Sequence, residues 1–105
     1  MRSKSEVIIA DSLNRAGIPY RYECPLKLAD GIIMHPDFTL LHIKRRKNIY
    51  WEHLGMMDDE GYSESAINRI SLYLKNGICL GNNLILTFET KNNPLTHKMI
   101  DTMIK

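Results

Sequence analysis

Two acids, Asp37 and Glu52, flank the basic run Lys44, Arg45, Arg46 and Lys47 in "HPDFTLLHIKRRKNIYWEHLG" (residues 35–55). The stretch reads as a β-hairpin with the basic run at its tip. With a two-residue turn at Lys44-Arg45, or a four-residue loop from Ile43 to Arg46, cross-strand partner numbers add to 89. Asp37 then lies opposite Glu52, with Cβ atoms roughly 4.5–5.5 Å apart on one sheet face. Phe38 meets Trp51 and Leu40 meets Ile49 on the other face, an apolar set that an odd loop would break. Opposed carboxylates repel unless a proton or cation lies between them, or unless both point into screening solvent. A hard divalent cation is the simplest resolution. Mg²⁺ takes one or two carboxylates and completes its shell with waters and phosphate oxygens.

The rest of the chain must position this pair. "SKSEVIIADSLNRAG" opens with Ser3-x-x-Glu6, a capping box, and closes on Gly17; Val7, Ile9, Ala10, Leu13 and Ala16 give it an apolar stripe. A short strand is expected near residues 20–24, and the hairpin strands near 32–43 and 48–54. "GMMDDEGY" reads as a loop with solvated acids. The stretch after it, with Ala66, Ile67, Ile70, Tyr73 and Leu74 at helical spacing, reads as a second helix ending at Asn76-Gly77. "NNLILTFET" supplies one central strand. A terminal helix carries Leu95, Met99, Ile100 and Met103 on one face. The predicted order is αβββαβα, an α/β domain with a mixed central sheet flanked by helices.

The 105 residues make one domain, which could be cut from a longer protein. Net charge is +2, with pI near 8.6, which permits a nucleic-acid partner without demanding one. Cys24 and Cys79 sit in no paired motif and read as reduced, buried thiols of a cytoplasmic protein. No apolar run approaches transmembrane length, and "MRSKSE" is no signal peptide. His35, His42 and His97 lack zinc spacing.

The Pro36-Asp37 pair, a following strand and turn, Glu52 after apolar residues and Glu6 on an upstream helix resemble the PD-(D/E)xK nuclease superfamily. "RYECPL", "HPDF", "YWEHLGMMDD" and "NLILTFET" are similar to an uncharacterised bacterial branch of restriction-endonuclease-like domains, over nearly the whole chain. The resemblance implies an αβββαβ core and a Mg²⁺- or Mn²⁺-dependent nuclease acting on DNA, in a superfamily many of whose members dimerise to cut two strands. By resemblance, Asp37, Glu52 and the backbone carbonyl of His53 would hold the metal, and Glu6 would approach from the first helix.

One position departs from the pattern. The superfamily places a lysine two residues after the second acid, and Leu54 stands there. Lys4, Arg69 and Lys75 are the basic candidates to replace it, with Lys75 expected to reach back over the sheet and Arg69 to clamp phosphate. The alternative is a nuclease fold without turnover that binds DNA or a partner protein. Plainer roles also stand: Glu6 as the capping residue, the His53 side chain packed on the Phe38/Trp51 face, and the tip at residues 44–47 as a solvated turn.

Overall fold

A computed structural model describes residues 4–42, 44–55, 59–90, 95–96 and 98–100 of the chain. Helix α1 spans Lys4–Arg15. It stops where Gly17 adopts φ 70°, a left-handed conformation free of Cβ strain in glycine, and the Ile18 N–H closes back on the Leu13 carbonyl at 3.0 Å. Its buried face is Ser5, Ile9, Ala10, Ser12 and Leu13. Val7 and Ala16, expected on that face, are exposed instead.

Strands β1 (Tyr20–Tyr22), β4 (Phe38–His42), β5 (Lys47–Leu54) and β6 (Leu84–Phe88) form a sheet in the order β1-β4-β5-β6. The first two pairings are antiparallel and β5/β6 is parallel, so the sheet is mixed. Helix α2 (Glu60–Lys75) makes the crossover that parallel neighbours require. Strands β2 (Leu26–Lys27) and β3 (Ile33–Met34), in the connection from β1 to β4, form a separate small antiparallel ribbon.

The hairpin register matches expectation. Phe38 pairs with Trp51, Leu40 with Ile49 and His42 with Lys47, so the four-residue version of the loop is the one formed. The strand expected over 32–43 is instead divided into β3 and β4 around Pro36, whose missing N–H cannot extend a ladder. The last strand, expected to be central, lies at the end of the sheet order among the described residues.

The two sheet faces carry separate cores. On one, α1 packs Ile9, Ala10 and Leu13 against Phe38, Leu40 and Trp51, joined by Leu95 and Ile100. On the other, Tyr73 of α2 packs with Leu84, Leu86, Ile78, Leu28 and Met34. Helix α2 starts earlier than the sequence suggests, because the Asp59 side chain caps it by accepting the Tyr62 N–H at 2.9 Å. Ile67 and Leu74, expected in the core, are 58% and 57% exposed. Cys24 and Cys79 are free and only half-buried. Residues 98–100 are helical, as expected of the terminal segment, but Met103 and His97 lie outside the described residues. No described helix is long and apolar enough to cross a membrane.

Candidate functional site

The hairpin ladder ends at Phe38/Trp51, so Asp37 sits at a bend just before β4, one position short of the pairing with Glu52 that the register sum predicts. Strand alternation points Glu52 toward α2, on the face that Tyr50 shares with Tyr73. The carboxylate is 2% exposed. Its Oε1 accepts the Tyr73 hydroxyl at 2.7 Å, and its Oε2 lies 3.3 Å from a terminal guanidinium nitrogen of Arg69. Arg69 and Tyr73 stand four residues apart and so share one face of α2. Burial pushes the Glu52 carboxyl up to about 7, and the charge of Asp37 adds to that rise; the Tyr73 bond and Arg69 only partly offset it.

Asp37 is half-buried, and its Oδ2 accepts the backbone N–H of His53 at 2.7 Å. Burial raises its pKa, the charge of Glu6 adds to that, and the His53 N–H and Arg69 pull it down, with a net rise. Glu6 thus acts on Asp37 through its charge, while its Oε2 accepts the Tyr22 hydroxyl. That bond pushes the Tyr22 phenol up to about 12. Ser3, the other half of the expected capping box, lies outside the described residues.

The structure does not bring Lys75 to this cluster. Lys75 is exposed and two residues beyond Tyr73, roughly 200° further round the helix at about 3.6 residues per turn. Arg69 occupies the place that Lys75 was expected to fill. Leu54, two residues after Glu52, is 1% exposed and packed in the interior.

The His53 ring faces α1, as alternation requires, and enters a polar network that the sequence did not reveal. Trp51 Nε1–H donates to Thr87 Oγ1 at 3.1 Å, and Thr87 Oγ1 meets His53 Nδ1 at 2.7 Å. His53 Nε2 meets Glu89 Oε1 at 2.9 Å; that oxygen also accepts the Ser5 hydroxyl, and Glu89 Oε2 accepts the Leu95 N–H at 3.0 Å. A proton on Nε2 satisfies every group: Thr87 accepts from Trp51 and donates to Nδ1, while Nε2–H donates to Glu89. Burial raises the Glu89 carboxyl, but the bonds from Ser5, His53 and Leu95 outweigh it and hold the pKa below the usual range. Ser5 bonds Glu89 rather than His53, so the set ties α1 to the sheet and does not activate a nucleophile.

The basic tip lies at the other end of the hairpin, five residues from the acids, or about 17 Å at roughly 3.4 Å per residue. Lys44, Arg45 and Arg46 are exposed, and Arg46 takes φ 49° in the turn. Lys47 differs from them. Its Nζ donates to both the carbonyl and the side-chain oxygen of Asn82 at 3.0 Å, fastening the hairpin to the turn before β6.

Among the described residues no three His, Cys, Asp or Glu side chains cluster as a metal site. Asp37 is close enough for its charge to raise the Glu52 pKa, and two carboxylates are compatible with a magnesium-type ion that draws its remaining oxygens from water and phosphate. Also among the described residues, Glu52 Oε2 and Arg69 Nε are buried without a hydrogen-bond partner. A carboxylate oxygen left so inside a protein is expensive, and a cation is one way to satisfy it.

No family model matches the chain. Over 79 residues, 73% of its length, the chain is 37% identical to an uncharacterized protein of Methanocaldococcus jannaschii. It spans 6% of the length of that relative.

Proposed function

We propose that this chain is a divalent-metal-dependent nucleic-acid phosphodiesterase acting on DNA, with the αβββαβ core of the PD-(D/E)xK superfamily. The observation that carries the reading is a buried Glu52 whose Oε2 has no hydrogen bond, near enough to Asp37 for that charge to raise its pKa. The element order, the mixed sheet and the helix on each face support the same core. Asp37 and Glu52 would hold Mg²⁺ or Mn²⁺, with the His53 carbonyl as a further oxygen ligand and Glu6 beside them. Such an ion polarises a phosphodiester and lowers the pKa of bound water. The chain's own part is to hold the two carboxylates at the end of the hairpin and to offer Arg69 to a substrate phosphate. Lys44, Arg45 and Arg46 would hold the flanking backbone. The half-buried free thiols fit a reducing, cytoplasmic setting.

A second reading has its own observation. Leu54 is packed in the interior where the superfamily has lysine, which fits a domain that binds DNA or a partner without cutting. Cleavage of single-stranded, duplex and branched DNA with Mg²⁺ or Mn²⁺, beside an EDTA control, decides between them. Metal-dependent products that vanish in Asp37→Ala and Glu52→Ala support the nuclease. Metal and DNA binding without products supports the binding domain.

A further inference from the structure

We propose that Arg69 is a resident counter-ion of Glu52 that competes with the divalent cation and gives way to it; this rests on the metal reading above. The ion pair is close but poorly made. The terminal nitrogen stands 3.3 Å from Oε2, yet neither Oε2 nor the buried Arg69 Nε makes a hydrogen bond. Guanidinium and carboxylate normally meet as a two-pronged fork, and this pair does not.

The two partners are also unequally enclosed. The Glu52 side chain is 3% exposed and that of Arg69 38%, so the cation has a path to solvent and the anion has none. Tyr73 grips Oε1 from the next turn of the same helix, so Glu52 stays aimed when Arg69 leaves. Charge counting favours the exchange. Asp37 and Glu52 carry two negative charges when ionised, which one guanidinium half-neutralises and one divalent ion neutralises fully. A displaced Arg69 keeps its charge at any working pH and can pair with a phosphodiester. Arg69 is thus a positioning residue that guards the site without metal and turns to substrate with it.

Calorimetric titration of Mn²⁺ into wild type and Arg69→Gln tests this. The variant is expected to bind Mn²⁺ about tenfold tighter, and to melt at a lower temperature than wild type without metal but not with it. Equal or weaker binding by the variant, with wild type binding, overturns the competition and leaves the metal reading intact. Absence of binding in both overturns both. Wild type gives a second readout should the variant fail to fold. The Arg69 Nε–H resonance, sheltered in metal-free protein, should move and exchange faster with Mg²⁺, and an unchanged resonance at saturating Mg²⁺ overturns the proposal.

Discussion

Asp37 Oδ2 accepts the backbone N–H of His53 at 2.7 Å, so one carboxylate of the opposed pair completes the hydrogen bonding of the strand that carries the other. Charge and acceptor can therefore be separated by mutation. Asp37→Asn keeps an oxygen for the His53 N–H and removes repulsion toward Glu52, and metal-free protein should melt at or slightly above the wild-type temperature. Asp37→Ala leaves the N–H without a partner and should cost about 1–3 kcal/mol. Denaturant unfolding of the two variants in EDTA reads the difference, and equal destabilisation would show that the acceptor is not what matters.

Stability should fall with rising pH in metal-free protein. Burial lifts the Glu52 carboxyl from 4.5 to about 7, so the folded chain binds this proton more tightly than the unfolded chain does. The resulting stability is complete below pH 4.5 and is lost as pH rises through about 7. At 1.36 kcal/mol per unit the loss is about 3 kcal/mol. The raised Asp37 carboxyl has the same sign; Glu89, whose pKa is lowered, has the opposite sign and acts below its ordinary 4.5. Melts in EDTA between pH 5.5 and 8 should show the slope, and Glu52→Gln should flatten it. Mg²⁺ should reverse it, because a metal binds the ionised carboxylates.

The network around His53 should behave as a structural unit. Thr87→Val strands both the Trp51 N–H and His53 Nδ1 in the interior, at about 1–3 kcal/mol for each group. Trp51→Ala, which also opens a cavity, should cost about 3–5 kcal/mol. Chemical denaturation measures both, and a neutral Thr87→Val would mean that water reaches these groups.

Legibility in the sequence follows the range of the interactions. The hairpin register was readable because Phe38, Leu40, Ile49 and Trp51 are close in the chain and only an even loop puts them on one face. The contact of His53 with Thr87 was not, because the parallel β5/β6 pairing is set by a helical crossover that leaves no local pattern. Thr87 and Glu89 do alternate at the end of an apolar run, the signal that two polar groups face inward together. Arg69 could be named but not aimed. Of the expected stripe of α2, Ala66 and Tyr73 do turn inward, while Ile67 and Leu74 are exposed, so the apolar pattern was too broad to fix the helical phase. Lys75 was preferred for its place near the helix end, and helical phase carries it away from Glu52.

Four basic residues form the tip, and they should divide into two kinds. Replacing Lys44, Arg45 and Arg46 by alanine should weaken DNA binding and reduce the salt dependence of affinity by about 0.7–0.9 in log–log slope for each lost phosphate contact. Stability should hardly change. Lys47→Ala should instead lower stability, since Lys47 fastens the turn at Asn82. Binding isotherms across a salt series together with melts separate the two, and an unchanged slope in the triple variant would remove the tip from the DNA interface.

The central claim is that Asp37 and Glu52 hold one divalent ion. Anomalous scattering from a crystal soaked in Mn²⁺ tests it most directly. A single strong peak is expected within bonding distance of both carboxylates, with Arg69 withdrawn from Glu52 Oε2. A soaked crystal with no peak there, and with Arg69 still 3.3 Å from that oxygen, would contradict it.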